Sequence, residues 1–254
     1  MEINTSEKPE YGNWVSKRLI VAPAVLGFIC LALALVFPPL VLLAILFLLV
    51  AAYFAYARRT FSPEGGDVQA KVLDLLLAEI EWDGSGQALD IGCGSGALVI
   101  ELASKYPGAQ ITGVDYWGQN WESSKGLCEK NTLIAGVAEQ VTFQSASASS
   151  LPFEDSQFDL VVSNLTFHEV GDVKDKRDAL KEALRMVRKG GRFAFQDLFL
   201  WKQIYGEVDD LLETVRGWGI ERVEFVDTSK APFIPAPLKL PFMVGTIAII
   251  CGEK

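Results

Sequence analysis

The stretch ALDIGCGSGALVIELA, running from Ala88 to Ala103, restricts the fold of this chain more than any other. A short apolar run reaches Asp90, glycines follow at Gly92, Gly94 and Gly96, and an apolar segment at helical spacing begins at once. Glycines permit a tight turn and close backbone approach, and the N-terminus of the helix behind them offers free N–H groups. Strand, glycine turn and helix in this order make a nucleotide-binding corner.

The rest of the chain beyond this corner keeps the same rhythm. After a turn-rich junction at 62–66, apolar positions recur at helical spacing from Val68 to Ile80. Short strand-like runs at Gln87–Ile91, Gln110–Val114, Gln140–Gln144, Phe158–Ser163 and Gly191–Gln196 then alternate with helical stretches at Ala97–Lys105, Glu122–Ala135, Lys174–Arg188 and Glu207–Gly217. Such alternation predicts a parallel sheet covered on both faces. Arg222–Asp227 and Val244–Cys251 read as two more strands, joined by a proline-rich connection without a helix, so the sheet is expected to close with one reversed strand.

The N-terminal part has a different character. From Leu19 to Ala57 no side chain is charged, and Pro38-Pro39 divides the run into two lengths. Each approaches the roughly 20 helical residues that cross a bilayer, and paired prolines resist continuation of a helix. Two membrane spans, Leu19–Phe37 and Leu40–Ala57, are predicted as a tight hairpin. Lys17-Arg18 before it and Arg58-Arg59 after it place both ends in the cytoplasm by the positive-inside rule. The expected organisation is a cytoplasmic segment 1–18, a transmembrane hairpin 19–59 and a cytoplasmic domain 60–254 of a two-span, multi-pass membrane protein.

Charge narrows the partners. Glu2, Glu7 and Glu10 stand against Lys8, Lys17, Arg18, Arg58 and Arg59, so the net charge of −9 leaves about −11 on the residues from 60 onward. An acidic body disfavours the phosphate backbone, and no nucleic-acid partner is expected. Cys30, Cys93, Cys128 and Cys251 form no C-x-x-C pair and imply neither a metal site nor a disulfide framework. The oligomeric state is not legible.

Two ligands suit the corner. Gly92, Gly94, Gly96 and Ala97 fit G-x-G-x-x-A, and Asp115 lies at the end of the next strand, where an acid takes ribose hydroxyls. That pattern alone admits NAD. Asp90, however, stands two residues before the first glycine, where it would oppose a pyrophosphate but suit a ligand carrying an ammonium and a sulfonium. A cationic amino-acid nucleoside accounts for more of these residues than NAD does.

LDIGCGSG resembles motif I of the class I S-adenosylmethionine-dependent methyltransferases, in the group related to the quinone-biosynthesis enzymes. The resemblance covers about residues 67–254. GVDYW at 113–117 is similar to the second cofactor motif, LPFEDSQFDLVVSNLTFHEV at 151–170 to the LPF-x-D-x-x-FD-x-V signature, and RMVRKGGRFAFQDLF at 185–199 to the element leading into the fifth strand. It implies an α/β fold, a Rossmann-like parallel sheet with a reversed last strand, here preceded by the transmembrane helical hairpin. It also implies S-adenosyl-L-methionine as cofactor. Asp90, Gly92, Cys93, Gly94 and Gly96 would surround its methionine part, Asp115 would hold both ribose hydroxyls and Tyr116 would lie against adenine. Where the family often carries Gly-Asp-Ala before the LPF motif, this chain has Ala146-Ser147-Ala148. Ser147 and Ala148 would still meet adenine, with a neutral acceptor weaker than an ionised one.

The acceptor side is expected on Asn164-Leu165-Thr166-Phe167-His168-Glu169, after the fourth strand. Asn164 would border both cofactor and acceptor. His168, the one histidine of the chain, is a candidate general base or a pocket-wall residue, and Asp197 a substrate contact or a turn residue. No metal is required for transfer from a sulfonium. APFIPAPLKLPFM at 231–243 is either a hydrophobic cover for the sheet or a lip for the acceptor. A small-molecule or lipid acceptor suits a membrane-tethered domain of this kind. The rival readings are an NAD(P)-linked oxidoreductase and a non-catalytic cofactor-binding membrane scaffold.

Overall fold

The structure is a computed structural model of the full chain, described here for residues 7–118 and 123–254. The chain divides into two compact units, Gly12–Val72 and Met1–Tyr11 with Leu73–Lys254.

The smaller unit is built on two apolar helices, α1 (Arg18–Ala34) and α2 (Leu40–Phe61). Leu35–Pro39 forms the turn between them, so α1 ends three residues before the predicted Phe37, while α2 continues to Phe61 rather than Ala57. The reason lies in the Pro38-Pro39 pair: Phe37 is turned out of helical geometry by the ring that follows it, and Pro39 serves as the N-cap of α2. At 17 residues α1 is about 26 Å long; α2, at 22 residues, is about 33 Å. Among the described residues, α2 is the one helix that is by itself long and apolar enough to cross a membrane. Small residues mark where the helices meet. Gly27, Ala44, Ala51 and Ala57 are buried, and a Cβ on Gly27 would lie 2.8 Å from Leu48 Cγ. Leu26, Phe28, Ile29, Leu33, Leu42, Leu46 and Leu49 face outward. The base of the unit is tied by Asn13, whose Nδ2 donates to the Arg58 carbonyl at 2.9 Å, and by Trp14 set edge-on to Phe61.

The larger unit holds a seven-stranded sheet ordered β3-β2-β1-β4-β5-β7-β6. Its strands are β1 (Gln87–Ile91), β2 (Gln110–Asp115), β3 (Val141–Ser145), β4 (Phe158–Asn164), β5 (Val187–Asp197), β6 (Arg222–Asp227) and β7 (Ala248–Glu253). The first five pair in parallel, and β7 runs antiparallel between β5 and β6. The reversed strand thus lies inside the sheet, not at its rim. It begins at Ala248, later than the predicted Val244, because Leu240–Thr246 folds into turns in which Met243 N and Gly245 N donate to Leu240 O and Thr246 Oγ1 donates to Pro241 O.

The helices of this unit are α3 (Val68–Ala78, which begins in the smaller unit), α4 (Ala97–Lys105), α5 (Lys125–Ala135), α6 (Lys176–Met186), α7 (Lys202–Tyr205) and α8 (Val208–Gly217). α5 starts at a Ser124 cap, and the predicted start at Glu122 lies outside the described residues. α6 is shorter than predicted at both ends: Asp175 caps Arg177 N, and Val187 turns extended to pair with Phe158. The N-terminal segment also joins this unit. Glu10 N donates to Asn131 Oδ1 at 2.9 Å, and Asn131 Nδ2 donates to both Glu10 O and Ser95 O.

Each sheet face has its own core. Leu89, Ile91, Val161, Phe193, Phe195 and Ile250 pack with α6 and α8 on one face. Ala88, Leu160, Val162, Ala194, Ile249 and Cys251 pack with α3 and α4 on the other. Because side chains alternate along a strand, these clusters also fix where each strand-end polar residue projects.

Candidate active site

The three loop glycines differ in what holds them. All have positive φ: 76° at Gly92, 56° at Gly94 and 85° at Gly96, a region that residues with a Cβ enter at a cost of about 1–2 kcal/mol. A Cβ on Gly92 would stand 2.0 Å from Thr166 Oγ1, so the loop is pressed against the segment after β4. A Cβ on Gly94 would meet nothing within 4 Å, so the loop is open there. Gly96 opens α4 by accepting from Ile100 N. Gly92 N and Cys93 N both donate to Val114 O, which fixes the loop over β2. Cys93 is buried, and burial pushes its thiol well above the ordinary range; it is a neutral packing group.

Asp90 and Asp115 flank this loop from neighbouring strands, with Asp90 in register with Gly113. Asp90 is 1% exposed and its Oδ2 has no partner among the described residues. Burial first, and the Asp115 charge second, raise its pKa well above the usual carboxylate range. Asp115 accepts from Gly94 N at 2.9 Å and from Trp117 N at 2.7 Å. Its pKa is also raised: burial outweighs those N–H groups. Two carboxyls in one poorly solvated corner disfavour joint ionisation unless a cation joins them. Trp117 closes the corner: its Nε1 donates to Gly94 O at 3.0 Å, where Cys128 Sγ also donates. Tyr116 is 75% exposed.

Ser147 sits just past β3 with Ala148 buried beside it. The neutral acceptor predicted there has acquired a charge from elsewhere. Asp172 Oδ2 accepts from Ser147 Oγ at 2.8 Å and from Ser149 Oγ at 2.7 Å. Those hydroxyls, Ser149 first, hold the Asp172 carboxyl below its ordinary value. Nothing in the sequence signalled Asp172, which lies 25 residues away.

The acceptor-side candidates do not converge on one point. Asp197 follows Phe193 and Phe195 onto the α6 face of the sheet, whereas Asn164 follows Val162 onto the face of Asp90. Asp197 is fully buried; its Oδ1 lies 2.7 Å from His168 Nδ1 and accepts from Leu198 N, and its Oδ2 accepts from Phe167 N. Burial opposes charge on His168, but the Asp197 carboxylate, with Glu169 adding to it, prevails and pushes its pKa up to about 10. His168 therefore carries a proton near neutral pH and acts as a donor. Behind the pair, Tyr205 is buried, and burial first, then Asp197, raises its phenol. Asn164 keeps an unpartnered Oδ1, and Gln196, its register neighbour on β5, is fully buried with neither amide atom partnered among the described residues. Gln196 was missed from sequence because its neighbour Asp197 carries the charge that attracts attention.

The connection at 231–243 serves largely as a cover: Ile234 and Leu238 are buried, while Leu240 and Phe242 remain exposed.

The residues present fit S-adenosylmethionine. An orphaned buried carboxyl, a second carboxyl on the adjacent strand end and an open glycine match a cationic nucleoside.

Comparison with known proteins agrees. Residues 89–195 match the family described as "Methyltransferase domain". A malonyl-[acyl-carrier protein] O-methyltransferase from Geobacter sulfurreducens is 35% identical over 147 residues, 57% of this chain and 48% of that one. A ubiquinone/menaquinone biosynthesis C-methyltransferase from Geotalea daltonii is 29% identical over 135 residues, 51% of this chain and 54% of that one. The chain spans about half the length of the curated relatives it matches. The structure of geranyl diphosphate C-methyltransferase from Streptomyces coelicolor, solved with S-adenosyl-L-homocysteine, superposes with a TM-score of 0.56 at 14% identity, covering 75% of this chain and 80% of that one. Residues 89–195 thus match a methyltransferase domain, and the larger unit shares the fold of a solved methyltransferase.

Proposed function

We propose that this chain is an S-adenosylmethionine-dependent methyltransferase acting on a small-molecule acceptor. The observation that carries the reading is the unpartnered, buried Asp90 carboxyl beside Asp115 across left-handed glycines. Asp90, Gly92, Cys93, Gly94 and Gly96 hold the methionine part. Asp115 exchanges its contacts with Gly94 N and Trp117 N for the ribose hydroxyls, and Tyr116 covers adenine. Asp172, through Ser147 and next to Ala148, restores the ionised acceptor that the motif itself lacks.

When bound, the cofactor supplies a methyl group on a positively charged sulfur. The protein's part is to align the acceptor with that group and exclude water, effects worth on the order of 7–11 kcal/mol in favourable systems. Asn164, on the sheet face of Asp90, faces the acceptor. His168 and Asp197 are positioning residues: their ion pair fixes the Phe167–Glu169 turn behind Thr166, the side chain that packs on Gly92. A protonated His168 does not remove the acceptor's proton. Calorimetric titration tests the core of the reading. Micromolar binding of S-adenosylhomocysteine without binding of NADH is expected, and the reverse would overturn it in favour of an oxidoreductase.

The smaller unit is proposed as a membrane anchor. Its large apolar side chains face outward while small ones fill the helix contact, the arrangement that suits a lipid environment. Lys17-Arg18 and Arg58-Arg59 then set both ends of the hairpin on one side of the bilayer. A tethered enzyme with Leu240 and Phe242 exposed near its acceptor side suits a lipophilic acceptor. Methyl-label transfer into total membrane lipid extract, with mass analysis of the product, tests this. Equal activity on soluble acceptors after removal of the hairpin would argue against it.

A further inference from the structure

The carboxyl ends of β1, β4, β5 and β6 gather polar atoms that the fold leaves without partners. Asp90 Oδ2, Asn164 Oδ1, both amide atoms of Gln196 and Thr228 Oγ1 are buried and make no hydrogen bond among the described residues. Gln196 is 0% exposed, Asp90 1% and Thr228 6%. Asp90, Asn164 and Gln196 share a sheet face. Asn164 and Gln196 are direct register partners, and Gln196 is paired in turn with Ile249 of the same core. Adjacent strands lie about 4.8 Å apart, so the two amides stand side by side at the edge where open α/β sheets take their ligands.

Buried polar groups in native proteins are nearly always hydrogen-bonded, and one that the fold leaves unpaired calls for an explanation. Here the explanation differs between Asp90 and Gln196. Asp90 belongs to the cofactor corner described above. Gln196 lies two strands away, beyond β4, and its amide offers a donor and an acceptor together. The chemistry of the set is also one-sided. Among the described residues no Lys, Arg or His is as buried as Gln196, and none hydrogen-bonds its amide. Unpartnered amide oxygens at Asn164 and Gln196 instead call for an N–H or O–H.

We propose that Gln196 and Asn164 form the polar floor of the methyl-acceptor site and select an uncharged acceptor carrying an N–H or O–H donor beside a carbonyl. This deepens the methyltransferase reading and rests on it. Gln196 is a specificity-determining residue: its Nε2 donates to the acceptor's carbonyl, and its Oε1 and Asn164 Oδ1 accept from the donor. Anionic acceptors of the same shape are disfavoured, because their charge meets the buried amide oxygens of Gln196 and Asn164.

The test uses the full-length protein saturated with S-adenosylhomocysteine, and two probes of nearly equal shape, 2-hydroxybenzamide and 2-hydroxybenzoate. Titration is expected to show the neutral amide binding about tenfold tighter than the carboxylate, and Gln196→Met, similar in length and volume, to reduce that preference to about twofold or less. Gln196→Met is also expected to leave the affinity for S-adenosylhomocysteine unchanged and to raise Tm by about 2–4 °C, because it removes a buried amide that the fold leaves unpaired. Gln196→Leu serves as the second apolar replacement, with the same expected signs. Equal or tighter binding of 2-hydroxybenzoate by the wild type, or a lowered Tm in both variants, would overturn the proposal while S-adenosylhomocysteine still binds. Failure of the wild type to bind S-adenosylhomocysteine would instead overturn the methyltransferase reading beneath it.

Discussion

His168 Nδ1 and Asp197 Oδ1 lie 2.7 Å apart, joining the turn after β4 to the end of β5, with Asp197 wholly out of solvent. Removing one partner of a buried ion pair strands the other charge, at a cost of about 3–5 kcal/mol. His168→Ala is therefore expected to destabilise the larger unit by about that amount in urea unfolding. The pair also sets a pH dependence. The His168 pKa rises from 6.5 to about 10 on folding, so its stabilisation is complete below pH 6.5 and is lost as pH climbs toward 10. Asp197 is lowered, so its share is present above the ordinary carboxylate range and disappears in acid. The stability gap between wild type and His168→Gln should narrow from pH 6.5 to pH 10; a constant gap would refute the pair's charge.

Asp90 shifts in the direction opposite to Asp197. Its raised pKa means that folding disfavours its ionised form, so ligand-free stability falls as pH rises above the usual carboxylate range. Asp90→Asn should raise the Tm of the ligand-free protein at pH 8 and weaken S-adenosylmethionine binding by about 10–100-fold. Calorimetry in buffers of different ionisation enthalpy should show less proton release on binding by the variant than by the wild type.

Gly92 and Gly94 separate folding from binding. Gly92→Ala combines a positive φ with a Cβ 2.0 Å from Thr166 Oγ1, and is expected to lose about 3 kcal/mol or more of stability. Gly94→Ala has the strain without the clash and should cost only about 1–2 kcal/mol. Its methyl group enters the open side of the loop, so cofactor affinity should fall far more than stability. Equal losses of stability in the two variants would count against this geometry.

Ser147→Asp tests the borrowed carboxylate. In the present fold it would set a second acid against Asp172 rather than restore a missing one. Cofactor affinity should drop by on the order of tenfold, and the double variant Ser147→Asp with Asp172→Ser should recover most of it, a coupling typical of residues in contact. Additive losses would show that the two residues act independently.

The hairpin predicts its own partition. Full-length protein is expected to float with liposomes and to resist alkaline carbonate, and Leu46→Arg, on the outward face of α2, to weaken that association. Recovery of the wild type in the soluble fraction without detergent would exclude an anchoring role.

Much of the larger unit could be read in advance. β1 and α4 begin and end where predicted, and β6 does too. The boundaries that moved did so for tertiary reasons. Val187 leaves the helical pattern because Phe158 offers a strand partner, and Val244 stays out of β7 because Leu240 O gathers two turn bonds. In the smaller unit the Pro38-Pro39 division was legible, but the extra residues of the turn came out of α1.

The sequence by itself determined the corner: only glycine enters positive φ without strain, and a strand–turn–helix order is a property of a short window. It also determined that acids stand at Asp90 and Asp115, since the one is next to last in β1 and the other last in β2, strands whose apolar runs are plain. The tertiary structure decided which groups meet there. A shift of one residue turns a strand's side chain to the opposite face, so register alone sends Asp197 to His168 and leaves Gln196 beside Asn164. Asp172 reaches Ser147 across 25 residues of chain, a distance no local pattern records.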